Sequence, residues 1–396
     1  MLDLFAETTR RDPYPLYERL RVAAPVIHEP RTGIWLLLDY EGCKRALHDH
    51  EAFGSAVTAP ESAPGRWLIF ADPPRHAVLR ALVTRAFTSR AVAGLEPRVQ
   101  TIVRSLLSAV LERGEMDLVS ELAVPLPLMV ISELLGVPPE DWRRFRAWSD
   151  VSADLANTLQ GGDAAARAGA AFVAVHLEMQ RYLAPHLAAS RTDGRDDLLS
   201  RLVHAEVDGA RLTDDELLGF FELLLLAGHE TTTNLIDNAV LSLAEHPKQL
   251  ARLRARPELL PLAIEEVLRF RSPVQAVFRV TRQAVSLHGE SIPAGALVLA
   301  MLGSANRDPA QFPDAEELDV GRTPNAHVAF GHGIHFCVGA PLARLEARVA
   351  LGEILSAFRT FDLASDAPWT PRPAFHVHGP SRLDIRFEPA RETHRR

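Results

Sequence analysis

Cys337 sits in AFGHGIHFCVGAPLARLEARVAL, residues 329–351, just ahead of Gly339, Pro341 and an apolar pattern at helical spacing. A cysteine at a helix start faces the positive end of the helix dipole and unpaired N–H groups, and both favour the thiolate, which is a nucleophile and a metal ligand. Gly331, Gly333 and Gly339 let a backbone fold tightly and approach something flat or bulky. Pro341 suits a first helical turn. A second stretch, LLLLAGHETTTNLI, residues 223–236, is stranger. Its leucines read as buried core, yet the run breaks into Gly-His-Glu-Thr-Thr-Thr-Asn before turning apolar again. A glycine and hydroxyls at such a place can loosen a helical ladder and admit water, and a carboxylate there can move protons.

Familiar chemistries are excluded by what stands nearby. His229-Glu230 opens the zinc-protease pattern His-Glu-x-x-His, but the closing position is Thr233. No Gly-x-Ser-x-Gly marks a serine hydrolase, and no Gly-x-Gly-x-x-Gly follows a strand to hold a nicotinamide or flavin. The only other cysteine, Cys43 in DYEGCKRALHD, reads as a packing residue of an amphipathic helix, which argues against iron–sulfur clusters, structural zinc and a disulfide framework. Two cysteines and no leader-like N-terminus suit a reducing cytoplasm. A net charge of −8 argues against nucleic acid as partner. No apolar run reaches the ~18 residues that cross a bilayer.

These residues need elements to hold them. The chain has 396 residues, 47% of them apolar and 24% charged, enough for one large core, and no linker separates domains. Residues 33–40 read as a strand. Helices are expected over 102–114 and up to Gly136, each stopped by a glycine. Gly161 and Gly162, among Ser, Thr, Asn and Gln, suggest a break between two long helices. Thr213 and Glu216 form a capping box, and no proline follows until Pro247, so a helix of roughly 33 residues, about 50 Å long, spans the domain. A shorter helix over 259–270, strands and turns over 273–309, an irregular stretch to about 329, a helix from about 340 and a strand ending near 387 complete the chain.

Phe330, Gly333, His335, Cys337 and Gly339 spell Phe-x-x-Gly-x-His-x-Cys-x-Gly, which resembles the haem-binding signature of the cytochrome P-450 superfamily. Ala227-Gly228-His229-Glu230-Thr231-Thr232 resembles that family's central-helix motif. Glu266-Val267-Leu268-Arg269 resembles its Glu-x-x-Arg, with Arg322 in LDVGRTPN as the third member of a structural trio, and ANRDP at 305–309 is typical of bacterial members. The resemblance covers nearly the whole chain. It implies a mainly α fold with a smaller β region, and residues 1–396 as one haem-thiolate monooxygenase domain. The cofactor would be haem b, iron protoporphyrin IX, lying between the central helix and the cysteine-loop helix.

By the same resemblance Cys337 ligates iron, and Phe330 belongs to the cofactor loop. His76 and Arg80 in DPPRHAVLR, Arg279 in VFRVTR and His335 pair the haem propionates. Gly228 gives the helix room over the haem face; Glu230 relays protons and Thr231 offers a hydroxyl to bound dioxygen, with Asn234 one turn on from Glu230. Trp67, Phe70, Leu224, Ala227, Val274, Val277, Phe278, Phe375 and Val377 would line the substrate pocket, and the Gly161–Gly162 break would lie in a lid. One oxygen atom of O2 would enter an apolar small molecule, by hydroxylation or epoxidation. Electrons would come from a ferredoxin or flavodoxin with its reductase, attracted by Arg75, Arg85, Arg344 and Arg348 near the cysteine. Two other readings stand beside this one: a peroxide-driven haem-thiolate peroxygenase, which typically lacks the acid–alcohol pair, and a non-catalytic haem sensor or electron carrier, which needs neither Glu230 nor Thr231.

Overall fold

A computed structural model describes residues 4–58, 62–153, 162–192, 194 and 196–390. Its centre is one helix, Asp214–Glu245, 32 residues long. Thr213 starts it as expected: its hydroxyl accepts from the Glu216 N–H at 3.3 Å, and the Glu216 carboxylate accepts from the Thr213 N–H at 2.9 Å. The two bonds satisfy donors that a helix start otherwise leaves open. The helix packs against the cysteine-loop helix Ala340–Ala357, the helices Pro125–Leu135 and Trp142–Ala153, and Leu260–Phe270, the helix that carries Glu266 and Arg269.

The expected glycine stop holds at Gly136, whereas the helix expected over 102–114 runs from Glu96 to Ser108 and ends before its glycine. Gly136 follows Leu135 with φ 70, and Gly114 follows a short 3-10 turn with φ 68, both in the left-handed region that glycine enters freely. The lid break is only partly visible: Gly162 begins the helix Gly162–Ser190, while Gly161 lies outside the described residues.

Among the described residues ten strands make the smaller β part: β1 Val26–Glu29, β2 Ile34–Leu37, β3 Phe53–Gly54, β4 Glu115–Asp117, β5 Val277–Thr281, β6 Val285–Leu287, β7 Glu290–Ile292, β8 Leu297–Ala300, β9 Phe358–Leu363 and β10 Asp384–Pro389. One sheet runs β1-β2-β8-β5-β3, with β2 and β8 parallel and the other pairs antiparallel. A second joins β4, β10 and β9, and β6 pairs with β7. The largest apolar core gathers around the central helix, and smaller cores lie on the two faces of the first sheet. This is the mainly α architecture with a smaller β region. Among the described residues no helix is long and apolar enough to cross a membrane.

A buried brace holds the segment that leads to the cysteine loop. Glu266 and Arg269 are fully buried and paired through two bonds of 2.8 Å. Arg269 also donates to the carbonyls of Asn306, Ala315 and Glu317 at 2.7–3.0 Å. Glu266 also accepts from Arg322 Nε at 3.1 Å, from the Asp319 N–H at 2.9 Å and from Asn325 Nδ2 at 3.1 Å. The trio expected from sequence is therefore assembled, and carbonyls that no local pattern reveals complete it.

Candidate active site

The cysteine loop is shaped by glycine. Gly331 and Gly333 have φ of 74 and 72, and a Cβ on Gly333 would stand 2.6 Å from the carbonyl oxygen of Leu47, so no side chain fits there. The Cys337 N–H donates to the Phe330 carbonyl at 2.9 Å, closing the loop so that Cys337 ends just before the helix. The Arg344 guanidinium lies 4.5 Å from the centre of the Phe330 ring. Burial pushes the Cys337 thiol up, and the N–H groups of Gly339 and Ala340 and the charge of Arg80 only partly oppose this. The N–H groups at the helix start favour the thiolate as the sequence suggested, but they do not by themselves make the free side chain one. Desolvation outweighs the dipole, and ligation to a metal is what deprotonates such a thiol.

Beside the cysteine loop stands a group of basic side chains short of anions. His76 is buried, and its Nε2 has no hydrogen-bond partner among the described residues. Its ring lies 4.2 Å from that of His335, centre to centre. His335 Nε2 meets Ser55 Oγ at 3.0 Å. Arg279 is 7% exposed, and the bond it makes is to its own neighbour, the Phe278 carbonyl, at 2.7 Å. Burial pushes Arg279 down to about 10 and His335 down to about 3, and lowers His76 and Arg80 as well. Of these four buried or half-buried bases, His76, Arg279 and His335 feel the carboxylate of Asp72, which already accepts from Arg282 at 2.7 Å and from the Ser55 N–H at 2.9 Å. Buried donors without acceptors are costly unless a ligand completes them. Two propionates of a haem supply that missing charge, so the residues present fit the group.

Between its accessible ends the central helix opens at its middle. Residues 217–223 and 232–243 are buried, whereas Leu224, Leu226, Gly228, Glu230 and Thr231 are partly accessible and Ala227 is exposed. Thr231 Oγ1 donates to the Ala227 carbonyl at 2.6 Å, and the helix runs on without a break. Gly228 turns elsewhere: a Cβ there would press on Ile131 Cδ1 at 3.1 Å, so this glycine serves the approach of the neighbouring helix, and Ala227 is the small residue at the opening. The remaining polar residues anchor the helix. Thr233 Oγ1 donates to the Ala123 carbonyl at 2.9 Å, His229 Nδ1 meets Ser149 Oγ at 3.1 Å, and Asn234 Oδ1 accepts from Arg372 Nε at 2.7 Å.

The expected pocket residues fall into separate groups. Val274 and Val377 face each other across an isolated β-bridge, and Phe278 lies 6.4 Å from the His376 ring. Phe375 packs edge-on against Phe5 at 5.0 Å. Val277 lies on β5, half-buried, and Leu224 approaches Gly228 on the central helix. Trp67 stacks with Phe70 at 6.0 Å but is buried, and its Nε1 donates to Glu222 at 3.0 Å. Glu222, buried at 1% exposure, also meets His176 Nδ1 at 2.5 Å. This tie between three elements was not expected, although a lone carboxylate inside FFELLLL was a visible sign of it. The arginines expected to form an open basic patch are engaged: Arg75 with Glu216, Arg85 with the Glu206 carbonyl, Arg344 with both oxygens of Glu265, and Arg348 with both oxygens of Glu96. Burial raises Glu265, but bonds from Arg344 and His327 outweigh it and hold the carboxyl at about 2.

The family model described as Cytochrome P450 matches residues 123–380. The chain is 44% identical over 404 residues to the cytochrome P450 monooxygenase PikC of Streptomyces venezuelae, covering 97% of this chain and 93% of that protein. It is 42% identical over 366 residues to the vitamin D(3) 25-hydroxylase of Pseudonocardia autotrophica, covering 89% and 88%. The crystal structure of CYP109E1 from Bacillus megaterium in complex with testosterone superposes with a TM-score of 0.86 at 40% identity, over 95% of this chain and 99% of that one.

Proposed function

Because the chain belongs to the cytochrome P450 family and is a haem b monooxygenase, we propose that residues 1–396 form one haem-thiolate domain with Cys337 as the iron ligand. In this reading Arg279, Arg80, His76 and His335 pair the propionates, and Phe330 and Arg344 brace the loop behind the ligand. Haem b bound in this way supplies the iron that binds and activates O2. The remaining tasks fall to the chain. Glu230 carries protons inward, and Thr231 presents a hydroxyl at the opened turn. Leu224, Ala227, Val274, Val277 and Phe278 exclude water from one side, with Val377, Phe375 and Phe70 behind them.

One observation carries the acid–alcohol assignment: between its accessible ends the helix is buried except over residues 224–231, the stretch that holds Ala227, Glu230 and Thr231. A peroxide-driven enzyme or a haem sensor has no use for an accessible carboxylate and hydroxyl in the middle of an otherwise buried helix. We take the substrate to be an apolar molecule of roughly steroid size, a class to which testosterone in the CYP109E1 complex belongs and to which vitamin D(3), named for the hydroxylase relative, is close. Electrons come from a separate ferredoxin- or flavodoxin-type protein, since the chain lacks a nucleotide-binding fingerprint.

The test pairs binding with coupling. Steroids should bind the haem-loaded enzyme, read as a shift of its haem spectrum, and product should form with O2 and a ferredoxin system. Thr231→Ala should bind the same steroid and consume reductant yet release peroxide in place of most product. Equal coupling in Thr231→Ala would remove this hydroxyl from oxygen activation, and full turnover with peroxide alone would favour the peroxygenase.

A further inference from the structure

The central helix carries, beyond Glu230, a buried carboxylate that the proposed function leaves unused. Asp237 is fully buried, and neither of its oxygens has a hydrogen-bond partner among the described residues. Glu230, Asn234 and Asp237 follow the i, i+4, i+7 spacing that places residues along one helix face. Asn234, in the middle of this line, is also fully buried; its Oδ1 is held by Arg372, and its Nδ2 has no partner among the described residues. Arg372 Nη2 is likewise buried and without a partner. Gly379 lets the C-terminal segment close on this point, since a Cβ there would stand 2.5 Å from Asn234 Oδ1. An acid, an amide and a guanidinium thus converge on one stretch of helix with hydrogen-bonding capacity to spare.

Burial pushes the Asp237 carboxyl far up, and the charge of Arg372 opposes this only in part, with Asp117 adding to the rise. An isolated buried carboxylate of this kind is expensive, so the group holds its proton. Losing that proton is made tolerable by the guanidinium of Arg372 nearby.

Resting on the acid–alcohol reading above, we propose that Asp237 is a proton store that refills Glu230 along the face Asp237–Asn234–Glu230. The proton leaves the Asp237 O–H and passes through water held by Asn234 Nδ2 and Arg372 Nη2. It reaches the Glu230 carboxylate about 10 Å away along the helix. Asp237 is left as a carboxylate facing Arg372 and regains its proton from solvent; no electrons move. Asn234 and Arg372 are positioning residues, because neither changes its own protonation.

Infrared spectroscopy of the substrate-free holoenzyme tests the store without turnover. Wild type minus Asp237→Asn should show the carbonyl stretch of one protonated carboxylic acid, shifted in D2O, and no such band would overturn the proposal. Coupling then tests the path. Asp237→Asn should lower product per reductant several-fold with a larger solvent isotope effect, and Asp237→Glu should recover much of it. Unchanged coupling in Asp237→Asn would overturn the store, and if Thr231→Ala still uncouples, the acid–alcohol reading survives. Should Asp237→Asn fail to fold, Asp237→Glu serves alone: its acid band must move from the wild-type position, and an unmoved band overturns the assignment. Arg372→Lys keeps the charge but loses the bond to Asn234, so it should slow refilling without abolishing the acid band.

Discussion

Two of the buried charge clusters in this molecule are built differently. In the Glu266–Arg269–Arg322 brace the donors meet carboxylate or carbonyl acceptors within 3.2 Å. In the group of His76, Arg80, Arg279 and His335, a buried nitrogen has no partner and a buried guanidinium leans on its own backbone. A network that only holds the fold is complete in itself. A network made for a ligand is left short by what the ligand brings, here two negative charges.

The sharpest way to break this comparison is to cut the brace. Glu266→Gln leaves Arg269 buried without its charge partner, which costs about 3–5 kcal/mol. Denaturant unfolding should show the loss with or without haem, and near-native stability would mean that the brace is not structural. Arg279→Leu should do the opposite. It removes a half-satisfied cation, so the haem-free protein should keep its thermal midpoint or gain slightly. Haem affinity, measured by transfer to a competing haem acceptor, should fall about tenfold or more. A destabilised apoprotein with unchanged haem affinity would reverse the two roles. The smallest effect is expected at the surface. Replacing Arg344 and Arg348 with Gln removes half-buried pairs with Glu265 and Glu96 at the surface. Reduction by ferredoxin should slow modestly and more at low salt, and equal rates at every salt concentration would discard this docking face.

Much of the framework could be read from local pattern. Thr213 with Glu216, the stop at Gly136 and the glycines around Cys337 act over a few residues, and the structure keeps them; the helix expected to run to Gly114 ends at Ser108 instead. Glu230 and Thr231 were legible because polar residues interrupt an apolar run. What could not be read depends on contacts across the chain. Arg344 meets Glu265 and Arg348 meets Glu96 through side chains of different helices, so an apparent open patch becomes a set of pairs. Gly228 was assigned to the cofactor face because glycine implies closeness, but sequence does not say to what, and the neighbour is Ile131. The helix-start argument at Cys337 named one force and missed a stronger one, desolvation.

The central claim concerns the group that completes the unfinished cluster and the atom that anchors it. The reduced carbon monoxide spectrum of Cys337→Ser, loaded with haem b beside wild type, tests it most directly. Wild type should give the thiolate-type band, and the variant should bind haem through its bases yet lack that band. A thiolate-type band persisting in Cys337→Ser would contradict the account.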